Sequence, residues 1–229
     1  MKRVFDSKLL THYIKKCNIE SIFDDEILKY AQLHFYEGEE YILESGEILE
    51  YYYLLVDGKI KIYYPFENGK SMTLKFYKDF NTIGDLELLK GMPILCNIDA
   101  VEDTFLIAIP SIILREKYFD NVKLLHHLVD SLSEKLYGTI NNSSYNFVYP
   151  LINRVASYLV EHLTDKNYII LNSSYLDIAQ FLGTTYRHLN RTLKGMESKS
   201  IIKYDDKKIY ILDINKIREL SKNIYVKPL

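Results

Sequence analysis

The sequence predicts an α+β protein in three parts: an all-β segment, one long helix, and a helical module closed by a hairpin. Three patterns predict it. From about Phe35 to Ile109, short runs alternate polar and apolar residues between turn signals. Between Asn121 and Ser144 there is no proline, and Leu125, Val129, Leu132, Leu136 and Ile140 recur at steps of three and four. From Leu151 onward the patterns follow as helix, short strand, helix, helix, hairpin, helix. The expected divisions are residues 1–120, 121–149 and 150–229.

In the first part, Glu37-Gly38-Glu39 and Ser45-Gly46-Glu47 mark turns about eight residues apart. Leu54-Leu55-Val56 runs into Asp57-Gly58, and Lys59-Ile60-Lys61-Ile62-Tyr63-Tyr64 follows. Asp-Gly tolerates the positive φ of a tight turn, so a hairpin is expected there. Asn68-Gly69 predicts another before Met72-Thr73-Leu74-Lys75-Phe76-Tyr77. Strands at this spacing make a small sandwich or barrel. After Pro110 the period lengthens. A helix over 121–144 would be roughly 36 Å long at 1.5 Å per residue, and helices of that kind commonly pair with a copy of themselves. Leu124 and Leu128 widen its apolar stripe, while Asn141-Asn142-Ser143-Ser144 and then Tyr149-Pro150 predict a break and a hinge.

In the last part, Leu151 to Leu163 is amphipathic. Asn172-Ser173-Ser174 precedes a helix to Leu182, with Ser174 as cap and Asp177 three residues on. Gly183 ends that helix, Thr184-Thr185 cap the next, and Leu189, Leu193 and Met196 form the apolar face of the second helix. Ile201 to Tyr204 and Lys208 to Ile211 then flank Asp205-Asp206-Lys207 as a hairpin.

The 229 residues carry 29 Lys plus Arg against 31 Asp plus Glu, a net charge of −2 that taken whole argues against a nucleic-acid partner. The split reverses that. Residues 1–149 hold 16 cations and 23 anions, whereas residues 150–229 hold 13 and 8, so the basic excess lies in the helical module. The uncharged stretch Thr104–Leu114 is far short of the ~20 residues of a membrane span, and an acid at Asp6 interrupts the N-terminus before an apolar run develops. Cys17 and Cys96 lack metal or disulfide-framework spacing and read as reduced thiols of a cytoplasmic protein. Twenty-one tyrosines, with abundant Lys, Ile and Asn, read as compositional bias and carry no functional weight as a class.

Function concentrates in residues 175–194. Ala179, Gly183 and Leu189 have the small–glycine–apolar spacing at which two helices cross around a tight turn. The second helix then offers Thr185, Tyr186, Arg187, His188, Asn190, Arg191 and Lys194 to DNA. Arg187 and Arg191, one turn apart, have the fork that grips guanine O6 and N7. Tyr186 and Asn190 would help to read bases, while Thr185, His188, Lys194 and the hairpin lysines, Lys207 among them, would hold phosphates. A three-helix unit with a merely solvated charged face is the plainer alternative.

The order and content of these segments resemble the Crp/Fnr superfamily of transcription regulators. The resemblance runs from about Asp24 to Leu220, through Glu37-Gly38-Glu39, Gly46-Glu47, Tyr53 to Lys61, Gly69 and Ile83-Gly84-Asp85-Leu86. It continues in Ile178-Ala179-x-x-Leu182-Gly183-Thr184-Thr185-Tyr186-Arg187-His188-Leu189-x-Arg191, whose Tyr-Arg-His-Leu is most similar to the YeiL-type branch. The resemblance implies an N-terminal double-stranded β-helix, jelly-roll-like and built as a cyclic-nucleotide-binding domain, then a dimerising helix through 121–144 and a C-terminal winged helix. It also implies a bacterial cytoplasmic homodimer on a palindromic operator, with RNA polymerase as a further partner.

In members that bind cyclic nucleotides, a Gly-Glu-Leu segment contacts ribose and an Arg-Ser or Arg-Thr pair holds the phosphate. Here Gly84-Asp85-Leu86 stands at the first place, and Leu95 or Ile94, followed by Cys96, at the second. No arginine occurs between Arg3 and Arg115, so a desolvated phosphate would lack its bidentate cation. The residues 84–86, 95 and 96 thus outline an effector pocket not expected to take cyclic AMP, and no cofactor is expected. Two cysteines per chain fall short of an iron–sulfur ligand set, and the six histidines show no two-His-plus-carboxylate spacing. His34, read as lying before the first strand, is the one candidate haem ligand. A cupin-like enzyme needs His-x-His inside the barrel, and Phe35–Ile109 has no histidine. A constitutive or architectural DNA binder with a ligand-free roll remains the rival reading.

Overall fold

A computed structural model gives the fold. It describes residues 1–69, 71–78, 80–164, 167–170, 174–205 and 208–222, with backbone alone at 141–143. The chain divides into two compact units, Met1–Leu136 and Tyr137–Leu229.

The first unit begins with β1 (Lys2–Val4), α1 (Ser7–Lys16), a short 3₁₀ turn and α2 (Asp25–Leu28). Strands β2 (Gln32–Tyr36), β3 (Tyr41–Leu43), β4 (Tyr51–Asp57), β5 (Ile60–Pro65), β6 (Ser71–Tyr77) and β7 (Asn81–Ile83) follow. Helix α3 (Asp85–Lys90), β8 (Asn97–Ala100), β9 (Thr104–Pro110) and α4 (Ser111–Lys117) complete the roll. Two antiparallel sheets, β1-β2-β9-β4-β7 and β3-β8-β5-β6, enclose one core containing Leu33, Tyr52, Leu54, Ile60, Ile98, Leu106 and Ile107. The pairing with β1, which puts Lys2 opposite Phe35 and Val4 opposite Leu33, lies upstream of the region the sequence marks as β.

Two local expectations in this unit are corrected. Asp57-Gly58 is no hairpin, because β4 and β5 lie in different sheets. Gly58 has φ 100° and passes so close to Asp103 and Thr104 that a Cβ would meet the Asp103 carbonyl oxygen at 2.7 Å. The positive φ was legible; the crossing between sheets was not. Asn68-Gly69, by contrast, does turn β5 back onto β6, with Tyr64 opposite Met72. His34 lies within β2 rather than before it: it is buried, its ring meets those of Tyr51 and Tyr53, and Gln32 Oε1 lies 3.2 Å from its Nε2. Five tyrosines, Tyr13, Tyr36, Tyr52, Tyr53 and Tyr77, belong to the core of this unit, and the Tyr36 and Tyr53 hydroxyls are 3.0 Å apart.

Helix α5 spans Val122–Val148, and the division between the two units falls inside it. Leu124 and Leu128 belong to the core of the first unit, whereas Val122, Val129, Leu136, Tyr137 and Ile140 are exposed. The expected break at Asn141–Ser144 does not occur. Asn and Ser have modest helix propensity but keep their N–H groups, so the ladder continues until Pro150, which lacks one.

The second unit continues with α6 (Leu151–Glu161), β10 (Tyr168–Ile170), α7 (Tyr175–Phe181) and α8 (Tyr186–Ser198). It ends with β11 (Ile202–Asp205), β12 (Lys208–Ile211) and α9 (Ile214–Ser221). Its three strands form an antiparallel sheet in the order β10-β12-β11, and Val155, Ile178, Leu182, Leu189, Leu193, Met196 and Ile209 share its core.

Candidate nucleic-acid interface

The helix pair is set by local chemistry. Ser174 caps α7, its Oγ accepting from the Asp177 amide at 3.1 Å and donating to Asp177 Oδ2 at 2.7 Å. Gly183, at φ 60°, takes the left-handed conformation that ends the helix. The Gly183 amide donates to the Gln180 carbonyl at 3.0 Å and the Thr184 amide to the Ala179 carbonyl at 2.8 Å. Thr185 then starts α8, its Oγ1 accepting from the His188 amide at 3.2 Å. Ala179 is fully buried where the small residue was required, and Leu189, Leu193 and Met196 seat α8.

At 3.6 residues per turn, burial of Leu189, Leu193 and Met196 turns Arg187, Arg191 and Lys194 to the opposite side. All three are exposed, as are Thr185, Tyr186 and His188, while Asn190 is half-buried at the edge of that face. The ring of His188 approaches Thr184 Oγ1 at 3.4 Å. In the hairpin, Lys203 and Lys208 are exposed, and Asp205 pairs with Lys208 across β11 and β12. Lys207 lies outside the described residues.

The five candidate effector residues lie around α3. Gly84, at φ 96°, leads into it; Asp85 is its first residue; Leu86 and Leu95 are partly exposed. Cys96 is half-buried, and burial together with the nearby Glu87 carboxylate pushes its thiol up to about 11, which keeps it protonated at neutral pH. Asp85 is turned inward. Its Oδ1 accepts from Tyr52 Oη at 2.6 Å and Thr82 Oγ1 at 2.9 Å; Oδ2 accepts from Ser131 Oγ at 2.8 Å and from the Lys135 ammonium. Burial alone would raise this carboxyl, but the Lys135 charge and these donors outweigh it, and the pKa is held below the ordinary carboxylate value. Ser131 and Lys135 were missed by the sequence reading. Their only signal is that they continue, at helical steps, the inward face begun by Leu124 and Leu128.

Among the described residues no group of three or more His, Cys, Asp or Glu is placed to hold a metal ion, and no helix is long and apolar enough to cross a membrane.

An antiparallel roll followed by a long helix and a helix-turn-helix with its hairpin is the class of fold that the described residues define. The cyclic nucleotide-binding domain family matches residues 33–121 and the Crp-like helix-turn-helix domain family matches residues 153–220. The chain belongs to the Crp/Fnr family of DNA-binding transcription regulators. It is 25% identical over 174 residues to the regulatory protein YeiL of Escherichia coli O157:H7, covering 74% of this chain and 78% of that one. It is 23% identical over 191 residues to the cAMP-activated global transcriptional regulator CRP of Pasteurella multocida, covering 80% and 91%. A Crp/Fnr-family transcriptional regulator from Eubacterium rectale superposes with a TM-score of 0.76 at 19% identity, over 92% of this chain and 99% of that one, which shows the shared fold.

Proposed function

We propose that the protein is a homodimeric, sequence-specific transcription regulator of the bacterial cytoplasm whose roll does not answer to cyclic AMP. In this reading residues 1–120 form the effector domain, 121–149 the dimerising helix and hinge, and 150–229 the DNA reader. The observation that carries DNA reading is the exposure of Arg187, Arg191 and Lys194 on one face of α8, opposite its buried side. Arg187 and Arg191 read bases with Tyr186 and Asn190; Thr185, His188, Lys194 and Lys207 position the protein on phosphates. The exposed Val122, Val129, Leu136 and Ile140 on α5 support pairing with a second copy, which calls for two half-sites about one helical turn apart. Footprinting on an operator selected in vitro tests this: two protected half-sites are expected, and a single one overturns the dimer. RNA polymerase is proposed as a further partner, and transcription from a promoter carrying that operator tests it.

A second reading is favoured by Asp85. Its carboxylate is already occupied by Tyr52, Thr82, Ser131 and Lys135, and no arginine lies between Arg3 and Arg115 to hold a phosphate. Both support a roll that acts as a ligand-free scaffold, with Gly84, Asp85, Leu86, Leu95 and Cys96 shaping the fold rather than binding an effector. Calorimetric titration with cyclic AMP is expected to show no binding and operator affinity no change; tightening of the operator complex overturns this reading.

A further inference from the structure

Of the arginines in the second unit, Arg154 alone is buried: it is 9% exposed, whereas Arg187, Arg191 and Arg218 face solvent. A guanidinium stays charged at any physiological pH, so its burial demands well-placed acceptors. Arg154 stands on α6 and its Nη1 donates to the Leu182 carbonyl, at the C-terminal end of α7. The same nitrogen donates to Asn146 Oδ1 at 3.2 Å, near the end of α5. Asn146 Nδ2 in turn donates to the Phe181 carbonyl at 3.3 Å. Two consecutive carbonyls at the end of α7, where helix dipoles leave partial negative charge, are thus held by one side chain from α6 and one from α5.

The next residue, Gly183, is packed against both. A Cβ there would lie 3.3 Å from Asn146 Cγ and 3.4 Å from Arg154 Nη1, in addition to the strain of φ 60°. Two residues later Thr185 caps α8. The clasp therefore seizes the chain immediately before the helix that carries Arg187 and Arg191.

We propose that Arg154 and Asn146 are positioning residues for DNA reading: they fix the turn between α7 and α8, and through it the angle at which α8 presents its arginines. The proposal rests on α8 being the reading helix. The planar guanidinium suits the role, because one rigid group meets a side-chain and a main-chain acceptor on separate elements. Bidentate base contacts need the correct angle, whereas attraction to phosphates tolerates a tilted helix. Loss of the clasp should therefore cost discrimination more than affinity for any DNA.

The test compares wild type, Arg154→Met, Arg154→Lys and Asn146→Ala in the full chain. Two duplexes serve as probes: an operator selected by the wild-type protein from a random pool, and an unrelated duplex of equal length. Arg154→Met and Asn146→Ala are expected to lower the ratio of the two affinities at least tenfold, with affinity for the unrelated duplex within about twofold, and Arg154→Lys to recover part of the ratio. Amide hydrogen exchange, which needs no DNA, should quicken at Gly183 and Thr184 and stay unchanged in β10–β12. An unaltered ratio in Asn146→Ala and Arg154→Lys overturns the proposal. Equal loss on both duplexes also overturns it, by assigning the clasp to stability alone. Should Arg154→Met not fold, half-buried Asn146 decides the same question through Asn146→Ala. A ratio insensitive to Arg191→Ala would fault the assignment of α8 instead, and unchanged exchange at the turn in Asn146→Ala would still count against the clasp.

Discussion

At the scale of single residues, chemistry that shows in the primary structure is chemistry that faces outward. The outward placement of Arg187 and Arg191 was legible because the apolar Leu189, Leu193 and Met196 fix the opposite face of α8. Replacing Arg191 by Ala should weaken operator binding by about 1–3 kcal/mol and relax preference at one base pair, which a competition assay over single-base operator variants would register. Arg154, Asp85 and His34 were not legible, because their meaning depends on partners distant in sequence: Asp85 meets Ser131 and Lys135 some fifty residues on. His34 allows a direct check. Burial, with the nearby Arg3 and N-terminal charges, holds its imidazole down to about 4 from the ordinary 6.5, and Nδ1 has no hydrogen-bond partner. The folded state therefore disfavours protonation, so stability falls as pH drops below about 6.5 and the loss is complete once pH passes below 4. Between pH 7.5 and 5 the contribution is about 2 kcal/mol. Denaturant titration of His34→Gln should show a shallower pH dependence over that window. His127, also depressed by burial, acts with the same sign and preserves part of the slope.

At the scale of elements, period and capping carried most of the outcome. Ser174, Gly183 and Thr185 mark the ends of α7 and α8 through chemistry confined to a few neighbouring residues, and α5 is evident from its spacing. What failed was partnership. Asp57-Gly58 has the composition of a hairpin, yet nothing within it reports that Asp103 and Thr104 pass beneath and that β5 departs into another sheet. The end of α5 failed for a milder reason: Asn and Ser lower helix propensity without removing a hydrogen bond, as Pro150 does. The solvent-facing stripe of this helix makes its own prediction. Val129→Asp, at a residue 61% exposed in the single chain, should leave the monomer fold intact while a charge opposes its copy across a paired seam. Sedimentation should then show a shift from dimer to monomer at micromolar concentration, with thermal unfolding of the roll little changed.

At the scale of the whole molecule, charge is distributed by role rather than by amount. The excess of cations in residues 150–229 sits mostly with α8 and the hairpin, although Arg154, one of the cations counted there, is buried. DNA binding should accordingly weaken steeply with salt, log K falling with log salt at about −0.9 per phosphate contact. Lys194→Ala should reduce that slope by about one while altering base preference little. Arg191→Ala should do the reverse, and the pair of slopes separates phosphate contact from base reading.

The uncovered stripe on α5 also bears on how steeply a cell could respond. When two chains must meet before both half-sites are filled, and free chains are mostly single, occupancy of the operator rises with the square of protein concentration. A twofold change in synthesis then becomes about a fourfold change in bound operator at low occupancy. A roll that answers to no metabolite would still belong to a graded switch, with abundance as its input.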